Sequence, residues 1–238
     1  MKTILYGVSV QFKMDLRSNT LLVTCYAVPL LFFLIMGGIF TSLMPEAKQT
    51  LIPAMSIMGI SMGAFIGVPP SMVEIYATDI KKMYMANKIP LSFGVITLGI
   101  SAFIHLMITS ILIFIFAPIM FHAAIPSNIP HYFITLALFI IVSLTVACVL
   151  GLGVKSQAKL TMYSQALFLP SIMLSGIMFS TKLLPNTLET IGFLFPATWG
   201  YRLLTQSNPS ISSYFPLCIF FFVALFISIG FLKKIKSE

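Results

Sequence analysis

The chain of 238 residues is 58% hydrophobic and only 8% charged, whereas an average soluble domain is about half apolar and about a quarter charged. Six acidic and fourteen basic residues are too few to solvate a folded surface, which excludes a water-soluble globular protein. The net charge of +8 is no evidence for nucleic-acid binding in such a chain, and we expect no nucleic-acid partner. The composition predicts an all-helical, multi-pass protein of the lipid bilayer.

Residues 2–18 predict an amphipathic helix that lies in the inner membrane interface. One face is apolar and another is polar: the first carries Ile4, Val8, Phe12 and Leu16, and the second carries Ser9, Lys13 and Arg17. Along the whole chain, eleven basic residues fall on the side of the N-terminus and three on the other side. This excess predicts that both termini are cytoplasmic.

Six uncharged apolar runs follow. Each is long enough, at 1.5 Å per residue in a helix, to cross a hydrocarbon core of about 30 Å. The sequence therefore predicts six transmembrane helices, at about 21–43, 51–73, 91–121, 132–154, 160–179 and 214–232. The third run exceeds one crossing, so we expect it to tilt, protrude or break, and Pro118 favours a break or an exit near its end.

Small residues recur at spacings of three or four in the second run, at Ser56, Gly59, Gly63 and Gly67. Such a face lets helices in lipid approach closely, so we interpret it as a packing surface. A G-x-S-x-G string overlaps it, but the nucleophile elbow with that pattern requires a strand-to-helix turn. An intramembrane hydrolase that uses Ser61 or Ser101 with His105 is therefore the least favoured function.

The segment 74–89 lies between the second and third runs and is charged. Its charges are Glu74, Asp79, Lys81, Lys82 and Lys88. A short segment of mixed charge between two rigid spans is suited to docking in a groove of a soluble partner. The alternative is a solvated loop whose lysines contact lipid head groups.

Polar side chains form a stripe on the otherwise apolar third run. They recur at i+4 spacing, at Thr97, Ser101, His105 and Thr109. Residues at this spacing share one face of a helix. An ionisable group deep in a span is a functional candidate, so we assign the stripe, with Ser171 and Ser175 of the fifth run, to a substrate path. The alternative is that His105 is a structural hydrogen-bonding residue between helices.

The outer segment 180–213 is too apolar for an aqueous loop and too interrupted by proline to span the bilayer. Pro185 and Pro196 predict two short helices in a re-entrant or interfacial pair. The candidate outer gate consists of Glu189, Pro196, Trp199 and Arg202. We expect Glu189 and Arg202 to pair or to close the outer mouth against ions, and the alternative is that both side chains snorkel to the head groups.

No catalytic, metal or cofactor site is expected on this chain. It lacks the G-x-x-x-x-G-K-[ST] motif, so ATP and Mg²⁺ would have to be bound by a partner. Cys25, Cys148 and Cys218 lie inside apolar runs, which indicates neither disulfides nor a thiolate metal site. All six acidic residues fall outside the runs, which disfavours an ion-coupled carrier.

The sequence from Phe168 to Phe179, followed by 183–185 and by 195–204, resembles the characteristic motif of ABC-2-type exporter permeases. The motif combines a small-residue span, a proline-bounded outer helix and a second proline-bounded helix in that order. The resemblance covers the whole chain, from the interfacial helix through the six spans and the charged loop after the second span.

The resemblance implies a permease subunit of an ABC exporter in the plasma membrane. Such a subunit forms a homodimer, or a heterodimer with a related permease, and pairs with two copies of a separate ATPase. It also implies that 74–89 is the coupling helix, with Val73-Glu74 in place of the usual Arg-Glu pair. The implied substrates are amphipathic drugs, antimicrobial peptides or lipid-linked molecules. The alternative function is a non-enzymatic channel or membrane-assembly factor.

Overall fold

The computed structural model describes residues 2–178, 184–206 and 209–237, and over these residues it forms helices and no strands. In chain order the α-helices are α1 (Lys2–Asp15), α2 (Asn19–Leu22), α3 (Val28–Leu43), α4 (Leu51–Met62), α5 (Val68–Tyr76), α6 (Ile80–Ala86), α7 (Ser92–Phe121), α8 (Ile129–Gly153), α9 (Gln157–Met173), α10 (Asn186–Gly192), α11 (Pro196–Thr205) and α12 (Phe215–Ser237). Shorter elements are the π turns Val23–Ala27 and Gly63–Gly67 and the 3₁₀ turns Pro45–Gln49 and Ile211–Tyr214.

Five helical stretches of the described residues are long and apolar enough to cross a membrane. They are Asn19–Leu43, Leu51–Tyr76, Ser92–Phe121, Ile129–Gly153 and Ile211–Ser237. Each coincides with a predicted run. The other predicted run, 160–179, coincides with α9, which has 17 residues and ends at Met173, while residue 179 lies outside the described residues. The structure is therefore that of an all-helical, multi-pass membrane protein.

The third span, α7, is one continuous helix of 30 residues. Pro118 lies inside its last turn and does not break it, although the proline removes the one hydrogen bond that its N–H would donate to the Phe114 carbonyl. The end comes at His122, whose φ of 52° is left-handed, a conformation common after the last turn of a helix. A break is absent, and the helix ends at Phe121, shortly after Pro118, which leaves tilt, protrusion or an exit near Pro118 to accommodate the length.

The first span contains the π turn Val23–Ala27, whose closing hydrogen bond reaches back five residues instead of four. Pro29 follows this turn and has no N–H to donate to the carbonyl of Cys25, four residues earlier. That carbonyl instead accepts a hydrogen bond from Thr109 Oγ1 of α7 at 2.7 Å. The irregular turn thus exposes a backbone acceptor that joins the first span to the third.

The second span is buried almost throughout and forms the centre of the bundle. Its small residues lie where neighbouring helices come closest. A Cβ on Gly59 would lie 3.4 Å from Pro29, and a Cβ on Gly67 would lie 2.7 Å from Thr24 Oγ1. A Cβ on Gly63 would collide with a leucine of α7. The predicted small-residue packing face is confirmed.

The two predicted short helices of the outer segment are α10 and α11. Pro185 directly precedes α10, and Pro196 is the first residue of α11, a position where the missing proline N–H costs no helical hydrogen bond. A Cβ on Gly200 of α11 would lie 2.6 Å from Phe139 and 3.0 Å from Ile57. Since α11 packs this closely on the spans, it belongs to the bundle. Residues 180–183 and 207–208 of the predicted segment lie outside the described residues.

Candidate functional site

The polar stripe of α7 lies under the N-terminal helix. All four stripe residues, Thr97, Ser101, His105 and Thr109, are buried. The helix α1 can approach this closely because Gly7 has no side chain: a Cβ there would lie 2.5 Å from Phe93 and 3.0 Å from Thr97. In this conformation α1 and the first span together cover the stripe.

The face of α1 that contacts α7 differs from its predicted apolar face. Val8 and Phe12 are half-buried, as the pattern predicts, but Ile4 and Leu16 are exposed. Lipid solvates apolar side chains as well as a protein core does, so apolar spacing does not determine which face packs. Small and polar residues of α1 determine it instead.

Asp15 is buried at the end of α1, with 3% of its surface exposed. Its Oδ2 accepts a hydrogen bond from Ser101 Oγ at 2.5 Å, and its Oδ1 accepts one from Gln11 Nε2 at 2.8 Å. Gln11 lies one helical turn before Asp15 and so faces the same way. Two donors thus compensate the carboxylate for the water that it loses on burial.

His105 of α7 contacts two other elements, α1 and the first span. Its Nδ1 is hydrogen bonded to the Tyr26 hydroxyl at 2.6 Å, and its ring stacks on Phe12 with centroids 4.5 Å apart. Its Nε2 lies 3.9 Å from Asp15 Oδ2 and has no hydrogen-bond partner among the described residues. We call Gln11, Asp15, Tyr26, Ser101 and His105 the buried polar cluster.

The geometry of the buried polar cluster is not that of a hydrolase. A serine nucleophile requires a base within hydrogen-bond reach. Ser101 donates to Asp15 rather than to His105, and the hydroxyl of Ser61 is without a hydrogen-bond partner in the described part of the chain. The cluster joins α1, the first span and α7, so the contacts favour the structural interpretation of His105.

Ser171 and Ser175 lie in another part of the bundle. Both are buried. Ser175 Oγ donates to the Ile172 carbonyl at 2.8 Å, and it lies beside a cavity of about 450 Å³ that Arg202 also lines. The structure therefore places Ser175 near the candidate outer gate, and the hydrogen bonds of the described residues do not join it to the stripe of α7.

The charged segment between the second and third spans contains a short exposed helix. The second span continues to Tyr76, so Glu74 lies in its last turn rather than in the loop. The helix α6 follows, and of its two charged residues Lys82 is exposed and Lys81 is half-buried. At the base of the segment, the Tyr76 hydroxyl donates a hydrogen bond to the Leu91 carbonyl. This bond ties the end of the second span to the start of the third.

Asp79 and Lys82 form an exposed ion pair on this segment, with Oδ1 and Nζ 2.7 Å apart. The hydrogen bond and the charge of Lys82 lower the pKa of the Asp79 carboxyl, and Asp79 in turn raises the pKa of Lys82. Water surrounds both groups, so the pair contributes little to stability. Contacts with a partner could replace it at little cost.

A crevice of about 390 Å³ lies beside this ion pair. Lys81 and Lys82 line one wall, and the opposite wall comes from the ends of α8 and α12, including Val154 and Ile235. The segment therefore presents a charged ridge next to a groove that is formed by two further spans.

Lys88 ends the segment in an uncommon backbone conformation. Its φ is 56°, and the following residue, Ile89, donates its N–H to the Tyr84 carbonyl at 2.8 Å. This is the hydrogen bond of a Schellman motif, whose left-handed position glycine usually occupies. The chain direction at the end of α6 is thus fixed by backbone hydrogen bonds.

The candidate outer gate is built on α10 and α11. Arg202 Nη2 lies 3.2 Å from Glu189 Oε1, which confirms the expected pairing of the two charges. The Arg202 guanidinium also lies 4.4 Å from the centroid of Phe193, and Trp199 Nε1 donates to the Phe193 carbonyl at 2.9 Å. Pro196 begins the helix that carries Trp199 and Arg202. The ion pair and the aromatic contacts hold the two short helices together.

A match to a known protein family identifies the chain. The model of the ABC-2 type transporter family matches residues 4–208. The chain belongs to the ABC-2 type transporter family. No curated protein matches it.

Membership in the ABC-2 family establishes a multi-pass permease of an ABC transporter. Subunits of this family are transport subunits that are generally not catalytic, and they typically work with an ABC ATPase. The matched residues include most of α1, the segment 74–89 and α11. The buried polar cluster, the charged segment and the outer helix pair are therefore all parts of an ABC-2 permease.

Three residues of the buried polar cluster were missed by sequence reasoning: Gln11, Asp15 and Tyr26. Asp15 lies outside the apolar runs in sequence, but the fold places it against the first half of α7, at Ser101. One signal was available, because Gln11 and Asp15 are polar residues at i and i+4 in a helix otherwise assigned to lipid. No pattern in the sequence indicated that this face meets residues about 90 positions later.

Proposed function

We propose that the chain is the permease subunit of an ATP-driven exporter that moves an amphipathic drug, an antimicrobial peptide or a lipid-linked molecule outward. Two copies of a separate ATPase bind ATP and Mg²⁺ and supply the energy. A second permease, identical or related, completes the translocation unit. The direction of transport, the ATPase partner and the substrate class go beyond the family itself.

In this proposal the permease has six spans, with α9 as the fifth, and lies in the plasma membrane. Both termini are cytoplasmic, α1 lies in the inner interface, and α10 and α11 form a re-entrant pair in the outer leaflet. The excess of lysine and arginine on the side of the N-terminus supports this orientation. The close packing of Gly200 against Phe139 supports an immersed α11.

The observation that carries the proposal is the exposed helix α6 between two fixed ends. Tyr76 is hydrogen bonded to Leu91 at its base, and the Schellman hydrogen bond fixes its other end. Movement of α6 by a docked ATPase would therefore be transmitted to the second and third spans together. Glu74, Asp79, Lys81, Lys82 and Lys88 are the proposed docking residues.

The proposed substrate path includes the stripe of α7 together with Ser171 and Ser175, and it leads to the outer gate. Since α1 and the first span cover the stripe in the described conformation, transport requires that these elements separate from α7. The Glu189–Arg202 pair on α10 and α11 would have to move when the outer mouth opens. Switching between these states is the mechanism that we assign to ATP binding and hydrolysis on the partner.

The test is co-purification of the permease from its native membranes with a separate chain that carries a P-loop. Glu74→Lys combined with Asp79→Lys should release that chain or uncouple its ATP hydrolysis, because both residues are exposed and available to a partner. Outward transport is measured as ATP-dependent accumulation of a fluorescent amphipathic cation in inside-out vesicles.

The control is Glu46→Lys, a single reversal of an exposed charge on the outer side of the bundle in this topology. This variant should retain the ATPase and its coupling. Unchanged association and unchanged transport in the Glu74 and Asp79 double variant would overturn the docking role. Loss of the partner from both the double variant and the control would mean that net charge, not this segment, determines association.

A further inference from the structure

A cleft of about 620 Å³ separates the end of the charged segment from the last span. Its floor is apolar and comes from Pro90 and Leu91 on one side and from Ile229 and Leu232 of α12 on the other. It lies where α7 begins and α12 ends, which is the surface of the membrane for both spans. The cleft is therefore open to the head groups and to the first part of the acyl chains.

Three lysines surround this apolar floor: Lys88, Lys233 and Lys236. They come from two parts of the chain that are far apart in sequence, and all three are exposed. Among residues 2–178, 184–206 and 209–237, no carboxylate forms an ion pair with any of them. The cleft thus concentrates positive charge that the described chain does not neutralise.

The backbone directs these lysines to the same place. Lys233 and Lys236 lie one turn apart on α12, at i+4 and i+7 from Ile229, so the two ammonium groups and the apolar floor share one helix face. Lys88 is held opposite them by its left-handed backbone and by the Schellman hydrogen bond that follows it. Because the turn is fixed, Lys88 approaches the cleft from the charged segment.

We propose that this cleft binds an anionic glycerophospholipid. The phosphate of the head group is bound by Lys88, Lys233 and Lys236, and an acyl chain lies along Leu91, Ile229 and Leu232. Charge complementarity determines the head group, since basic clusters beside a span attract anionic lipids, and the apolar floor accounts for the acyl chain. The bound lipid joins the charged segment to α12. This link between α6 and the spans does not depend on which partner docks on α6.

The test compares two triple variants with the same loss of charge. The first, Lys88→Gln with Lys233→Gln and Lys236→Gln, removes the charges of the cleft. The control, Lys13→Gln with Lys159→Gln and Lys234→Gln, removes three exposed lysines that do not line it. Purified protein in detergent is titrated with dioleoylphosphatidylglycerol or with dioleoylphosphatidylcholine, and bound lipid is counted by native mass spectrometry.

The wild-type chain and the control triple should retain one phosphatidylglycerol per chain in preference to phosphatidylcholine. At about fivefold per lysine, the cleft triple should bind phosphatidylglycerol about 100-fold more weakly. Equal weakening in both triples, or equal retention of the two lipids by the wild-type chain, would overturn the proposal. Inorganic phosphate at matched concentration should not displace the lipid, and if it does the cleft is an anion site without a lipid component.

Discussion

The two aspartates of this chain lie in opposite surroundings. The side chain of Asp15 is 4% exposed and accepts hydrogen bonds from Ser101 and Gln11, whereas that of Asp79 is 86% exposed and pairs with Lys82 in water. The same functional group therefore has two roles. In the buried polar cluster the carboxylate fixes one helix against another, and in the charged segment it remains available to a partner.

Asp15 is thus a buried charge that stabilises the fold, and Asp79 is an exposed charge that contributes little to it. A buried carboxylate stabilises only while its donors are present, and its loss leaves those donors unsatisfied. An exposed ion pair has a negligible effect on the fold, so an effect of its substitution on function would arise through the molecules that it contacts. Substitutions in the two regions should accordingly differ in kind, with loss of stability in the first and loss of partner binding in the second.

The largest effect is expected for Asp15→Leu. The change leaves Ser101 and Gln11 without their acceptor inside the bundle and should reduce the free energy of unfolding by about 1–3 kcal/mol. Asp15→Asn keeps one acceptor oxygen and should cost less. Thermal unfolding in detergent measures both, and Asp79→Leu is the matched substitution in the exposed region. Equal unfolding midpoints for Asp15→Leu and Asp79→Leu would show that the two aspartates contribute equally to stability, against our expectation.

A smaller loss is expected for His105→Leu, which removes the hydrogen bond to Tyr26. A hydrogen bond between membrane helices contributes about 0.6–2 kcal/mol. Tyr26→Phe should cost a similar amount, and the double variant should cost less than the sum of the two. If each variant unfolds like the wild type while transport changes, His105 acts on substrate and not as a link between helices.

Lys88→Gly should stabilise the end of α6 by about 0.5–1 kcal/mol, because glycine adopts a left-handed φ without the steric cost that lysine bears. Lys88→Asn removes the same charge and tolerates the same backbone, so it is the control for the loss of charge. Both are measured by hydrogen exchange of the amides of α6. Faster exchange in Lys88→Gly than in the wild type would contradict the steric cost that we assign to the left-handed φ of Lys88.

The smallest effect concerns the titration of Asp79. Lys82 lowers the pKa of this carboxyl below its ordinary value of 3.8, so the pair stabilises above that pH and its contribution is lost as the pH falls through the lowered pKa. With ¹³C-labelled aspartate, two carboxyl resonances are expected, and Asp15→Asn assigns them. Lys82→Gln should move the Asp79 midpoint upward and leave the Asp15 resonance in place. An unchanged Asp79 midpoint would mean that the ion pair does not persist in solution.

The sequence predicts features that depend on local spacing. Hydropathy locates five spans to within a few residues, the glycine spacing identifies the packing face of the second span, and Pro185 and Pro196 delimit the two outer helices. The end of α9 is missed because the residues after Met173 remain apolar while the chain turns, with Gly176 at a φ of 88°. A hydropathy profile reports how apolar the residues are and does not show where the chain changes direction.

The buried polar cluster could not be predicted because its contacts join residues about 80 to 90 positions apart. Each member alone suggests another role: Asp15 a solvated acid, Tyr26 an interfacial aromatic residue, and His105 a substrate contact. The pairing follows from the position of α1 on α7, which depends on Gly7 and not on an apolar pattern. Long-range contacts of this kind produce no periodic pattern of residues in a single sequence.

The adjoining π turns of the first and second spans affect how related sequences should be aligned. A π turn contains one residue more than an α-helical turn, and each residue of a regular α-helix rotates the following side chain by about 100°. A related protein could have a regular α-helical turn at either position. It would then have one residue fewer there, and the residues after the turn would still point in the same directions. Single-residue gaps therefore belong inside these spans, at Val23–Ala27 and Gly63–Gly67. Since the two turns touch, with Gly63 and Gly67 both against Cys25, we expect such gaps to occur in both spans together.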